Sequence, residues 1–318
     1  MYLIRGKHNL DFFKAQDFTK EPLHGTIGNF DGMHLGHQAI LSNIKNSAIK
    51  TNGKTVVFFT EPHASEFFAS MKSNDEVPPR LCPWREKFKL LDNFGIDFGF
   101  FLKFNNSLRQ MTPEEFIQNI LAPMKLSSLT IGDDFRFGVN RQGDFNLLHR
   151  WGINNNIEVS NTETFKYLDE RVSSTRIRKA VSENNFDLAN DLLGRRYTFS
   201  GKIVHGQHLG RTIDVPTANL WLPKQKLPIS GVYAVQCMLN GALLDGIANM
   251  GIRPTVGGTM PVLEVHLFNF SQDIYAQRLE VDFRHKIREE KKFKNLDMLK
   301  SQIKKDIALA KNTFTKII

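Results

Sequence analysis

The sequence predicts a parallel α/β domain followed by a small antiparallel β-barrel and a C-terminal helix. Three observations predict this fold. The first half alternates short apolar runs with helical patterns, as in sheets with crossover helices. Near residue 185 the chain changes to glycine-punctuated β-like runs, which are typical of a barrel. Its end carries an apolar stripe at helical spacing. The change in texture over 184–194 predicts domains at 1–186 and 187–318.

The elements of the first half follow from apolar periodicity. A helix over 113–121 has Thr112 as its predicted cap and Pro113 at its first position. The other predicted helices cover 38–50 and 84–94, and the predicted strands cover 23–30, 55–59, 96–104, 129–131 and 157–159. Ligands bind beyond the carboxyl ends of parallel strands, so the segments after these strands are candidate sites.

The elements of the second half are short strands between turn signals such as Asn240-Gly241 and Gly257-Gly258. The predicted strands are 197–204, 231–238, 243–249, 262–270 and 278–283. The final helix is predicted from one apolar stripe made by Leu296, Leu299, Ile303, Ile307 and Ala310.

Composition narrows the class of protein. The chain has 318 residues and two cysteines, too few for a disulfide framework, which favours the cytoplasm. Neither a signal peptide nor an apolar run of membrane length is evident, so we expect no membrane partner. Residues 195–318 hold 19 Lys+Arg and 10 Asp+Glu and so carry the whole net charge of +9. A solvated helix face over 286–316 explains that charge better than nucleic-acid binding.

The most informative segment runs from Gly28 to His37 and contains His34 and His37, the histidine pair. It follows a strand and opens a helix, where free N–H groups attract anions. Gly36 lets a phosphate approach the backbone. Zinc binding would need further ligands. Cys82 and Cys237 are far apart in the sequence and do not form a cluster with the histidines. A nucleotide triphosphate site is therefore favoured over a zinc site.

Two later segments are candidates for further parts of the same site. The segment 132–138, after a strand, holds Asp134 and Phe135 and is either a tight turn or a pocket for a flat ring. Ser174 and Thr175 open a helix with Arg178 one turn on. They are either ordinary caps or a second phosphate clamp.

The C-terminal half contains a glycine-rich loop with Gly206 and Gly210, suited to folding over phosphates. Thr217 and Asn219 follow it, two residues apart. On an extended segment their oxygens face the same side and can both bind Mg²⁺, although a capped turn explains the tetrapeptide as well.

Taken together, these motifs resemble the bacterial bifunctional FAD synthetases, which join an FMN adenylyltransferase to a riboflavin kinase. The resemblance spans nearly the whole chain. The matching segments are 28–37, 61–63, 132–138, 173–178, 201–211, 216–219, 231–233, 249–251, 263–266 and 287–290. It implies a Rossmann-like nucleotidyltransferase domain and a barrel-shaped kinase domain, with riboflavin, FMN, FAD and ATP as substrates and products.

The resemblance also implies roles for residues of the first domain. His34 and His37 bind the ATP phosphates and stabilise the leaving pyrophosphate, and Gly36 belongs to the ATP site. Ser174, Thr175 and Arg178 clamp the triphosphate. Asn29 and Asp31 orient the nucleotide or hold the loop. Asp134 and Phe135 are candidates for the flavin side.

In the kinase domain the resemblance places ATP at the loop of Gly206 and Gly210. Thr217 and Asn219 bind Mg²⁺-ATP, Glu264 is the general base, and Arg288 helps to close the flavin site.

Two departures from the family pattern leave alternatives open. Ala64 follows His63 where proline is common, and Asp214-Val215 stands where Gly-Phe is usual. An acidic side chain near the phosphate loop could impair the kinase while the adenylyltransferase stays active. A nucleotide-sensing or nucleic-acid-binding protein is the alternative from another class, and it predicts salt-sensitive binding. Self-association stays open.

Overall fold

The computed structural model describes residues 1–5, 11, 20–71, 77–206, 215–222, 226–255 and 258–315. The chain forms two compact units. One comprises Met1–Pro78 and Trp84–Ser173, and the other comprises Pro79–Pro83 and Ser174–Ile318.

The first unit is built on a six-stranded parallel sheet in the order β1-β4-β3-β2-β5-β6. Its strands are β1 (Tyr2–Arg5), β2 (Leu23–Ile27), β3 (Lys54–Glu61), β4 (Phe98–Lys103), β5 (Ser128–Gly132) and β6 (Glu158–Thr162). The chain runs outward from β2 to β3 and β4 and then returns to place β5 on the other side of β2. The strand order therefore reverses at β2, and ligands bind at such a switch point.

Helices connect these strands. They are α1 (Leu35–Thr51), α2 (Ala64–Met71), α3 (Trp84–Asn93), α4 (Asn106–Gln110), α5 (Pro113–Phe116) and α6 (Phe145–Asn154). A π-helical turn, Ile117–Leu121, continues α5, and the predicted cap by Thr112 is present as a capping box with Glu115. A small hairpin, β7 (Lys166–Tyr167) and β8 (Glu170–Arg171), ends the unit.

Both faces of the sheet are buried, as a parallel sheet with crossover helices requires. Successive residues of β3 point to opposite faces. Val56 and Phe58 belong to one apolar cluster, and Val57 and Phe59 belong to the other. The prediction of a parallel α/β fold is confirmed, although β1 was not predicted because it is too short to show a period.

The second unit begins with α7 (Ser174–Ser182) and α8 (Phe186–Leu193). It continues as a closed barrel of six strands in the order β10-β13-β12-β11-β14-β9. The strands are β9 (Thr198–Val204), β10 (Ala218–Leu220), β11 (Gly231–Leu239), β12 (Ala242–Thr255), β13 (Gly258–Leu267) and β14 (Arg278–Arg288). All of these pairs are antiparallel, which confirms the predicted barrel.

Helix α9 (Leu296–Thr315) packs on the outside of the barrel. Ala310 is fully buried there against Val232, Ala234 and Ile247. The prediction that Leu296 belongs to the buried apolar stripe is wrong, because this side chain is about half exposed. Lys304 and Lys305 are exposed, as predicted for a solvated face, whereas their neighbour Asp306 is buried.

None of the helices in the described parts of the chain has the length and apolar content that a bilayer crossing requires.

Candidate functional site

The histidine pair lies at the switch point of the first unit. The chain leaves β2 at Ile27, and helix α1 begins at Leu35 with His34 as its N-cap. His34 Nδ1 accepts the backbone N–H of His37 at 3.2 Å. The two rings stack with their centroids 3.6 Å apart. Because that cap needs a lone pair on Nδ1, His34 can cap the helix only while this nitrogen is unprotonated.

The environment of His37 keeps its ring uncharged. Burial, then His34 and then Lys87, hold the pKa of His37 well below its usual range. Its Nδ1 is buried without a hydrogen-bond partner among the described residues. A neutral imidazole still carries one N–H donor. The pair can therefore donate to an anion at the start of α1 without carrying its own charge.

The loop before α1 is tightly fixed. Phe30 and Met33 adopt left-handed backbone angles, with φ of 48° and 49°. Asn29 Oδ1 accepts the hydroxyl of Thr60 on β3 at 3.1 Å, so Asn29 holds the loop to the sheet. A Cβ on Gly36 would lie 3.2 Å from His34 Nδ1, closer than most packed atoms, which accounts for glycine there.

The loop after β5 carries Asp134 and Phe135. Phe135 stacks on Phe137 with the ring centroids 5.7 Å apart, and the Asp134 side chain is 70% exposed. Arg171 of β8 lies 2.9 Å from carboxylate oxygens of both Asp133 and Asp134. The sequence reasoning missed Arg171. Its position shortly before the Ser173–Arg178 segment was the only available signal.

Ser174, Thr175 and Arg178 lie on α7, in the second unit, and Thr175 is exposed. Their role as a clamp for the triphosphate stays a prediction.

In the barrel, paired residues from five strands form a row on the outer face, which we call the polar row because all of its members except Val232 are polar. Glu264 on β13 is paired with Asn219 on β10 and with Asn249 on β12. Asn249 is paired with Val232, which is paired with Arg288 on β14. Paired residues have Cβ atoms about 5 Å apart, so Glu264 lies between two amides. Along the curved sheet, Arg288 lies three strand spacings from Glu264, a path of about 14 Å.

A cavity of about 550 Å³ adjoins the start of β10. Its lining includes Thr217, Ala218, Ile203, Val265, Phe270 and Tyr275. The ring of Tyr275 packs on that of His205 with the centroids 3.8 Å apart. The sequence reasoning missed Tyr275. The predicted Mg²⁺ ligand Thr217 therefore faces a space that can hold a flat ring.

Comparison with known proteins decides the family. The family model for riboflavin kinase matches residues 193–314, and the model for FAD synthetase matches residues 17–176. The bifunctional riboflavin kinase/FMN adenylyltransferase of Escherichia coli K12 is 41% identical, over 99% of this chain and 98% of its own length. The chain belongs to this family. The family member from Haemophilus influenzae is 42% identical, over 99% of both chains.

A solved structure is also similar to the present chain. It is described as a macrolide-efflux protein from Streptococcus pneumoniae, is 28% identical and covers 92% of this chain and 94% of that chain with a TM-score of 0.75. The two family-model matches place the FAD synthetase part before the kinase part, in the predicted order.

In the kinase half of the present chain, Gly206 lies very close to Asn219. A Cβ at residue 206 would overlap the side-chain amide of Asn219. We predict that Gly206→Ala displaces this amide and lowers riboflavin kinase kcat/KM by about tenfold or more, since small displacements near reacting groups are costly. Product formation from riboflavin and ATP is the measurement. FAD formation from supplied FMN serves as the internal control and should stay unchanged.

Arg288 is engaged within the barrel unit. Its Nε donates to Asp306 Oδ2 of α9 at 2.8 Å, and the Gln302 amide donates to the other Asp306 oxygen at 2.8 Å. The Asp306 side chain is 3% exposed and that of Arg288 is 14% exposed. This buried pair ties α9 to the end of the polar row.

Removal of one partner of that pair should destabilise the kinase half. We expect Asp306→Ala to lower its free energy of unfolding by about 3–5 kcal/mol, because Arg288 would keep an uncompensated buried charge. The midpoint at which urea abolishes riboflavin kinase activity measures this effect. Lys305→Ala, at an exposed neighbouring position, should leave the midpoint unchanged. Equal midpoints for both variants would contradict the stabilising role of the pair.

Proposed function

We propose that this chain makes FAD from riboflavin in two ATP-dependent steps, with the kinase reaction in the barrel and adenylyl transfer at the histidine pair. The observation that carries the proposal is the presence in one chain of two separate constellations of polar side chains, each suited to phosphate chemistry. One is a stacked histidine pair at the start of a helix, whose member His37 has its pKa held well below the usual range. The other is a carboxylate flanked by two amides on the barrel.

In adenylyl transfer, an FMN phosphate oxygen attacks the α-phosphorus of ATP. The new bond joins this oxygen to phosphorus, and the bond to the β-phosphate oxygen breaks, so pyrophosphate leaves. No covalent enzyme intermediate forms. The reaction needs positioned donors at the leaving phosphates more than a base. His34, His37 and the first N–H groups of α1 supply these donors, and Gly36 leaves room for a phosphate.

In the kinase step, Glu264 accepts the proton of the terminal ribityl hydroxyl of riboflavin. The oxygen then attacks the γ-phosphorus of ATP, and the bond to the β-phosphate oxygen breaks to give FMN and ADP. A general base contributes about 10²–10⁴-fold. The cavity beside Thr217 accommodates the nucleotide, with Tyr275 available to contact its base.

Thr217 and Asn219 are the residues that would hold Mg²⁺. Their oxygens are hard ligands of the kind this ion prefers, and Mg²⁺ bound to ATP takes only one or two ligands from the protein. Asn219 is buried, and Gly206 packs against its amide, so its orientation is fixed before ligands arrive. The ion would neutralise charge on the ATP phosphates.

Other assignments remain part of the proposal. Asp134 and Phe135 contact the flavin side of the adenylyl-transfer site, and Arg288 acts at the far end of the polar row. Ser174, Thr175 and Arg178 bind the triphosphate. Gly210 and Asp214 lie outside the described residues. We expect a cytoplasmic protein. We also expect no nucleic-acid partner, because no nucleic-acid motif accompanies the basic half of the sequence.

The direct test is chromatography of flavins during incubation with riboflavin, ATP and Mg²⁺. The expected result is FMN followed by FAD. Formation of FAD only when FMN is supplied would indicate an inactive kinase and would direct attention to Asp214. Absence of any flavin product would overturn the proposal. A gel shift at two salt concentrations would then test the nucleic-acid alternative.

A further inference from the structure

Lys87 occupies an unusual position in the first unit. It lies on α3, where Lys87 and Leu91 are buried, one helical turn apart. The side chain of Lys87 is fully buried, and its Nζ is inaccessible to solvent. Lysine is almost never fully buried unless it is paired, because removing an ammonium from water is costly. The groups around this ammonium therefore indicate what it acts on.

The ammonium of Lys87 lies near aromatic residues that pack behind the histidine pair. Nζ lies 5.5 Å from the ring centroid of Phe59 on β3. Phe59 shares an apolar cluster with Phe30 and Met33, which belong to the loop before α1. The ring of Phe30 in turn lies 5.0 Å from that of His37. The buried charge thus lies behind the loop that presents the histidines.

Within the described part of the chain, two basic groups act on His37, and both oppose its protonation. They are His34, stacked on it, and Lys87 from the neighbouring helix. Asp31 is also buried in the loop, but it is not among the groups that shift His37. Lys87 is therefore a basic group, from the neighbouring helix, that acts on a ring which must stay neutral to stack on a neutral His34.

We propose that Lys87 is a positioning residue for adenylyl transfer, which keeps the histidine pair in its uncharged, stacked arrangement and acts on the ATP phosphates through His37. The inference rests on the proposed role of the histidine pair. Protonation of His37 would place a charge against the His34 ring whose Nδ1 caps α1. Lys87 shifts that protonation to lower pH, so that the phosphate-binding geometry persists across the neutral range.

The test is the pH profile of FAD formation from supplied FMN and ATP in Lys87→Met. With the buried charge removed, the pKa of His37 rises toward its usual range. We therefore expect the acid limb of the profile to move to higher pH, so that the rate of the variant falls below that of the wild type on the acid side of neutrality, where His37 becomes protonated. Lys89→Met is the matched control, since Lys89 lies on the same helix and is exposed. Lys87→Arg should retain the wild-type acid limb.

Two further measurements separate this role from a loss of folding. Riboflavin kinase activity of Lys87→Met reports whether the chain folds. The NMR titration of the His37 ring measures its pKa without reference to activity. In a His37→Asn background, Lys87→Met should cause no further shift of the acid limb. A His37 titration that is the same in wild type and in Lys87→Met would overturn the proposal.

Failure of the proposed function has a different signature. If His37→Asn and His34→Asn both form FAD at the wild-type rate, the site itself is wrong. If they abolish FAD formation while Lys87→Met changes neither the rate nor the acid limb, only the inference about Lys87 fails.

Discussion

Replacement of His34 by asparagine should stop the pathway at FMN. An asparagine side chain can still cap α1, so the helix keeps its start, but the stacked imidazole and its N–H donor are lost. Loss of one such donor costs about 10²–10³-fold in rate. We expect FAD formation from FMN and ATP to fall by this factor, while riboflavin kinase activity in the same chain stays at the wild-type level.

His149→Asn is the matched control for this prediction. His149 is exposed on α6 of the same unit, near Phe145, and takes no part in the proposed site. FAD formation by the control should equal that of the wild type. If His34→Asn retained FAD formation within a few fold, the histidine pair would not be the phosphate site.

The second large effect concerns Glu264. Replacement by glutamine keeps the size and hydrogen-bonding capacity of the side chain but removes the base between Asn219 and Asn249. We expect the rate of riboflavin phosphorylation to fall by about 10²–10⁴-fold. FAD formation from supplied FMN should not change, because that reaction belongs to the other unit.

Glu280→Gln provides the control on the barrel. Glu280 lies on β14 and is paired with Ser200 and Met238, away from the polar row. It should phosphorylate riboflavin at the wild-type rate. Equal losses in both variants would show a general dependence on charge rather than a base at residue 264.

Local patterns in the sequence were sufficient to predict the fold class. The strands of the first half are continuous apolar runs, which is how strands buried on both faces appear. The barrel strands were marked by turn signals such as Asn240-Gly241, and Asn240 does adopt a left-handed angle there. The histidine pair was visible because its members are neighbours in the chain and the start of the helix supplies their chemistry.

Features that depend on distant pairing could not be predicted in this way. The polar row exists only because the register pairs Asn219, Glu264 and Asn249, residues from three strands. Arg171 reaches Asp133 across 38 residues of sequence. The pair between Arg288 and Asp306 was hidden because the lysine-rich helix reads as a solvated face. In the sequence Lys87 likewise resembles an ordinary surface lysine, and only the packing of α3 shows that it is buried.

The central claim is that one chain holds two separable sites, one for each step. Mixing the variants His34→Asn and Glu264→Gln tests it most directly, with riboflavin and ATP supplied and flavins separated by chromatography. Alone, the first should accumulate FMN and the second should leave riboflavin largely unconverted. We predict that the mixture forms FAD, because FMN released by one chain reaches the intact site of the other. A mixture that accumulates FMN without FAD, although Glu264→Gln converts supplied FMN, would contradict the account.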